Sequence, residues 1–310
     1  MAVLLLWTPP LLAQSDPPLR TDPLERETAL RCPEGFAHPE HEPVLLVHGT
    51  GVTPDENWGW NYLGALPAAG FDTCTVKLPR RALGDIQVAA EFVVHAVRRI
   101  HAMTGRKVDI LGHSQGGLEP RWALKYWPDL RAMVDDVVTL GTPHHGTVVA
   151  SLFAPLPCAS PACLQMRVGS DFLRTLNDGD ETPGEVSYTS IYSAQDTLVQ
   201  PSFWRATARL EGAANIRIQD VCPLRYVSHV GLAWDSVVFE MVVDAFTRPG
   251  GTDPGRLSGA NCWSVVSSHV DPLYALRGAV WAEEVRNPPP VSLPALWEPA
   301  LASYVGAPGS

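Results

Sequence analysis

The stretch 110–128, ILGHSQGGLEPRWALKYWP, constrains this chain more than any other. An apolar run, VDILGH, leads into Ser114, with Gly112 two residues before it and Gly116 two after. A helix-forming segment follows over 118–126. A serine at a sharp strand-to-helix turn has a strained backbone, and its hydroxyl projects from the sheet edge. The residues two before and two after it then crowd each other, so glycine is needed at both places. The five residues alone would also suit an ordinary glycine-rich turn. The strand before them and the helix after them favour a nucleophile.

The rest of the chain alternates in the same way. Apolar, β-rich runs at 43–48, 71–76, 108–113, 135–140, 186–193 and 215–219 predict strands. Between 84 and 105 the apolar positions Val88, Phe92, Val93, Ala96, Val97, Ile100 and Met103 recur at helical spacing, with Asp85 as N-cap. A second helical pattern covers 237–246. Near-continuous Val/Leu/Ile strands alternating with helices predict an α/β fold, a mostly parallel sheet covered on both faces. Residues 14–310 form one domain on this reading. Segment 148–185 breaks the rhythm and reads as a cap-like insertion above the sheet, with 155–165 in it as a candidate lid. Residues 14–42 read as an extended arm, and 286–310 as a Pro-rich tail.

A serine hydroxyl is a weak nucleophile without a base and an acid that orients the base. On this fold the chain order is serine, acid, histidine. His38, His41, His48, His95, His101 and His113 precede Ser114. His144 and His145 follow it too closely to leave room for an acid on its own strand. His229 and His269 remain, and His229 follows the sixth predicted strand, where a loop delivers it to the catalytic edge. Asp196 follows the fifth strand and is the favoured acid. Asp220, after the sixth, is its rival; Asp180 and Glu181 fall in the insertion. An oxyanion hole would take the backbone N–H of Gln115 and that of Thr50 in the loop HGTG, with the Thr50 hydroxyl as a further donor. Trp58, Trp60, Val199 and Val230 are candidate lining residues of an acyl-binding cleft.

Composition narrows the function classes. The chain carries 33 acidic against 23 basic residues, a formal net charge of -10, which disfavours nucleic acid and anionic membranes as partners. The apolar start, 1–13, is too short and Pro-broken to span a bilayer and reads as the remnant of a secretory signal. No other run approaches a membrane span. Six cysteines with an export-like start favour disulfides in an oxidising compartment, but spacing does not choose their pairing. Cys158 and Cys163 bracket a loop short enough to close locally. No metal-ligand spacing is seen.

The segments LLVHGTG, GHSQGG, YTSIYSAQDTLVQP and CPLRYVSHVGL, in this order, resemble the secreted class 2 lipases, bacterial and yeast enzymes that include the lipase B of Candida antarctica. The resemblance spans about 28–265. It implies an α/β-hydrolase fold and a carboxylic ester hydrolase without cofactor, most simply a triacylglycerol lipase. It implies Ser114 as nucleophile, Asp196 as acid, His229 as base, and Thr50 with Gln115 as oxyanion hole. It also implies the disulfides Cys32–Cys74 and Cys222–Cys262, leaving Cys158–Cys163 as a local bridge. The expected partner is a lipid or other ester, met at an oil–water interface by a secreted monomer. The chain departs from the yeast enzyme before the serine, where Gly112-His113 replaces Thr-Trp, so that enzyme's enantioselectivity does not carry over. TPHHGT (142–147) is closer to the bacterial members. Rivals are a soluble esterase or polyester-degrading hydrolase with the same triad, an acyl transferase to alcohols, and a non-catalytic binding module. The last usually lacks a triad member, and none is missing here.

Overall fold

In the computed structural model, residues 16–152, 160–257, 262–264, 266, 267, 270 and 295–306 are described. Seven strands form one sheet: β1 (Leu30–Arg31), β2 (Val44–Val47), β3 (Thr73–Val76), β4 (Val108–His113), β5 (Val134–Leu140), β6 (Ser187–Tyr192) and β7 (Ala214–Arg217). Their order is β1-β3-β2-β4-β5-β6-β7. All neighbours are parallel except the edge pair β1 and β3. This is the α/β-hydrolase fold; helices lie in the connections from β2 through β6, and residues 193–213 join β6 to β7 without a helix.

Alternation of side chains along each strand explains why these runs are apolar throughout. Leu45 and Val47 of β2 enter one core with Ile110 and Val137, under the helices Ile86–Thr104 and Leu118–Tyr126. Val44 and Leu46 enter the other, with Leu111 and Val138, under the helix Ser236–Thr247. The long helix is closed at both ends by its own sequence. The Asp85 carboxylate accepts from Gln87 N, and Gly105 takes the left-handed C-cap at φ 68°.

Two expectations change. The arm is not extended throughout: Asp22 caps a helix over Pro23–Ala29, which leads into the antiparallel edge strand β1. The sixth predicted strand is shorter and turns into a short helix at Ile218–Val221. Segment 148–185 contains the helices Val148–Leu152, Pro161–Gln165 and Asp171–Leu176. The disulfides Cys32–Cys74 and Cys222–Cys262 are both formed. Cys158, and with it the proposed Cys158–Cys163 bridge, lies outside the described residues, as do 1–13, 286–294 and His269. Residues 295–306 pack against the domain. Glu298 accepts from the N–H groups of Asp171 and Phe172, and the Tyr304 hydroxyl accepts from Trp122 Nε1 at 2.9 Å. No described helix is long and apolar enough to cross a membrane.

At the end of the sheet opposite Ser114, Asp109 of β4 lies against Asp135 and Asp136 of β5. Both Asp109 oxygens are buried without a hydrogen-bond partner among the described residues. Burial, then the charges of Asp136, Asp135 and Glu42, holds its carboxyl well above the usual range. The sign follows from linkage. An acid whose folded pKa is raised is still protonated when its unfolded counterpart has ionised, so stability falls as pH rises above about 4. Asp109→Asn, which keeps the shape and never ionises, is therefore expected to raise Tm by about 2 °C or more at pH 8, and by less at pH 5. An equal shift at both pH values in thermal melts would contradict this.

Candidate active site

Ser114 leaves β4 with φ 57°, a left-handed conformation that costs a non-glycine residue about 1–3 kcal/mol. The two glycines are needed for steric reasons. A Cβ on Gly112 would lie 2.3 Å from the Gly116 carbonyl oxygen, and one on Gly116 would lie 2.3 Å from that of Val47. The Ser114 turn is thus wedged between β4 and β2.

Ser114 opens into a cavity of about 270 Å³. Thr50 and His229 line it as well, so the C-terminal ends of β2 and β4 and the segment after β7 converge there. His229 Nδ1 lies 2.8 Å from Asp196 Oδ2 and donates to it. The other Asp196 oxygen accepts from the N–H groups of Leu198 and Val199, each at 2.8 Å. Asp196 is 2% exposed and His229 5%. The carboxylate is therefore held at both oxygens and out of water, which fixes the ring's tautomer and orientation. Gly141, at φ 57°, makes room for the pair: a Cβ there would lie 3.0 Å from Asp196 Oδ2 and 3.3 Å from His229 Nδ1.

The rivals stand elsewhere. Asp220 pairs with Arg217 on the surface. His144 is buried between Thr139 and Arg121, and His145 pairs with Glu181. Of the four candidate lining residues, Trp60, Val199 and Val230 border the cavity. Trp58 does not. It is fully buried behind the site, edge-on to Tyr62 at 5.4 Å and to His113 at 6.0 Å. It packs there with Tyr62 and Leu66 in the core.

Several contributing residues carry no sequence signal. Asn57 Oδ1 accepts from Gly49 N at 3.0 Å and so steadies the loop that bears Thr50. His113 lies against His229, ring centroids 5.1 Å apart, with Nε2 3.2 Å from the His229 carbonyl oxygen. Burial, then His229, lowers its pKa to about 3, so it sits there uncharged. Gln115 is fully buried, and its side chain bonds Thr50 and Glu119. Insertion residues Ala150, Cys163 and Met166 form part of the cavity wall. The lining is overwhelmingly apolar, which suits an acyl chain.

A family model described as a PGAP1-like alpha/beta domain matches residues 82–152. The chain is 30% identical to the lipase B of Pseudozyma antarctica over 222 residues, 70% of this chain and 65% of that protein. It therefore spans just under two thirds of that relative's length. A triacylglycerol lipase from Pseudarthrobacter phenanthrenivorans is 37% identical over 137 residues, 42% of each chain. The crystal structure of Aspergillus fumigatus lipase B superposes with a TM-score of 0.86 at 30% identity, over 96% of this chain and 74% of that one. Fold and sequence agree, and the chain belongs to the lipase B family of α/β-hydrolases.

Proposed function

We propose that this chain is a secreted serine carboxylester hydrolase that cleaves acylglycerols. The observation that carries the reading is the buried, 2.8 Å Asp196–His229 pair beside the strained Ser114 in one apolar cavity. In the proposed reaction His229 takes the Ser114 proton as Oγ attacks the ester carbonyl. Asp196 stabilises the imidazolium, and neutral His113 adds no repelling charge beside it. The developing oxyanion accepts from Thr50 and from the Gln115 N–H. The tetrahedral intermediate collapses as His229 protonates the leaving alkoxide, giving an acyl-enzyme and the alcohol. His229 then activates water, which attacks the acyl-enzyme and frees the acid and Ser114.

The names of the relatives, lipase B and triacylglycerol lipase, support the substrate class. So do Leu198 and Val230, which border the cavity yet are 48% and 51% exposed, an apolar rim suited to an aggregated lipid. Two disulfides support an oxidising, extracellular compartment.

The test is hydrolysis of p-nitrophenyl esters from short to long acyl chains and of emulsified triacylglycerol, with Ser114→Ala alongside. Long-chain and triacylglycerol turnover, lost in Ser114→Ala, is expected. Turnover confined to short chains would replace the lipase by an esterase. No turnover of any ester would leave a binding module.

A further inference from the structure

Glu119 is the second residue of the helix that follows the nucleophile turn. It is fully buried, and one of its oxygens, Oε2, has no hydrogen-bond partner among the described residues. The other lies 2.8 Å from Gln115 Nε2. Gln115 Oε1 in turn lies 2.5 Å from Thr50 Oγ1. Three side chains thus form one chain of hydrogen bonds that runs from a buried carboxyl to the cavity wall.

That chain has two self-consistent proton arrangements, because an amide can turn over and a hydroxyl can rotate. With Glu119 ionised, the amide donates to the carboxylate and accepts from Thr50. The single Thr50 proton then points back into the protein. With Glu119 protonated, its O–H needs an acceptor, and the amide oxygen of Gln115 is the one its hydrogen-bond chain offers. The amide then presents N–H to Thr50 Oγ1. The threonine proton is released towards the cavity, where an oxyanion would form.

We infer that Glu119 is a positioning residue of the oxyanion hole, acting through the Gln115 amide to decide whether the Thr50 hydroxyl donates into the cavity. The inference rests on the proposed ester hydrolysis through Ser114. Burial raises the Glu119 carboxyl to about 8, opposed by the Gln115 hydrogen bond, so the protonated arrangement holds at neutral pH. Charged groups on the surrounding elements are engaged elsewhere: Arg81 with Glu56, Asp85 with Gln165 and Gln87, Glu91 with Thr21, Arg98 with Asp129, and Arg174 with Asp171. Arg121, on the same helix, bonds Asn177 and the Glu181 carbonyl. His48, beside the Thr50 loop, is held uncharged by burial at about 4.

The experiment compares kcat and KM for a p-nitrophenyl ester across neutral and alkaline pH in the full chain, in Glu119→Leu, Glu119→Gln, Thr50→Val and the Glu119→Leu/Thr50→Val double variant. Wild-type kcat is expected to fall as pH rises through about 8, when Glu119 ionises and the hydroxyl turns inward. Glu119→Leu lowers kcat about tenfold with little change in KM. Glu119→Gln, whose amide donates to Gln115 without titrating, recovers most of that loss and lacks the alkaline decline. In the Thr50→Val background, Glu119→Leu adds nothing further. In the infrared difference between wild type and Glu119→Gln, in which the Asp109 carboxyl cancels, a protonated-carboxyl band at neutral pH reports the Glu119 proton directly. The inference is overturned if that band is absent from the difference, if Glu119→Gln keeps the wild-type alkaline limb, or if the Leu and Val losses multiply. Turnover that survives in Ser114→Ala is a different failure. It removes the proposed hydrolysis through Ser114, and the oxyanion-hole role falls with it.

Discussion

Ser114→Ala, His229→Ala and the double variant are each expected to lose about the same activity, roughly 10⁵–10⁶-fold in kcat. In the proposed mechanism nucleophile and base act as one unit, so once either is gone the other has nothing left to do. A residual rate above water remains, because the cavity and the oxyanion donors still bind and polarise the ester. Asp196→Asn is expected to lose less, on the order of 10⁴-fold. Asparagine keeps the shape, and its oxygen can still accept from Leu198 and Val199, but its amide is able to donate to His229 Nδ1 and invert the tautomer. Single-turnover kinetics on purified variants, checked for folding by circular dichroism, decide the matter. If the double variant loses the product of the two single losses, the residues act independently and the proposed roles of Ser114 and His229 are wrong.

Gly116→Ala is expected to reduce the unfolding free energy by about 4 kcal/mol or more, or to prevent folding altogether. The added methyl would meet the Val47 and His48 carbonyl oxygens at 2.3 and 2.6 Å. Neither atom can move far, since Val47 is paired with Val76 on one side and Gly112 on the other. Overpacking costs most where the neighbours are backbone. Gly35, with nothing within 4 Å of an added Cβ, supplies the control, and Gly35→Ala is expected to be neutral within about 0.5 kcal/mol. Urea denaturation followed by tryptophan fluorescence gives both values. A Gly116→Ala midpoint equal to that of the wild type would show that the turn is looser than the packing implies.

Local pattern determined much of this protein. The helix Leu118–Tyr126 and the strand Val108–His113 have the bounds that periodicity alone sets, and the long helix starts and stops at its Asp85 and Gly105 signals. Side-chain alternation and backbone caps act within a few residues, so they can be read along the chain. Chain order also pointed to Asp196 and His229, which meet across 33 positions. What needed the tertiary structure was every choice made between distant segments. Trp58 and Trp60 are two residues apart, and only packing sends one into the core and the other to the cavity. The helix at Pro23–Ala29 has an N-cap and a proline start, but it is short, and part of what anchors it is Arg20 and Thr21 bonded to Glu91 of the long helix. Nothing beside Glu119 in the sequence marks it as buried. It becomes a buried acid because the helix that carries it packs against both the sheet and the long helix, where water is excluded and, among the described residues, Gln115 supplies its one side-chain hydrogen bond. Burial and long-range pairing change the chemistry of a residue without leaving a mark beside it in the sequence, and that is why the acids Glu119 and Asp109 became visible only in three dimensions.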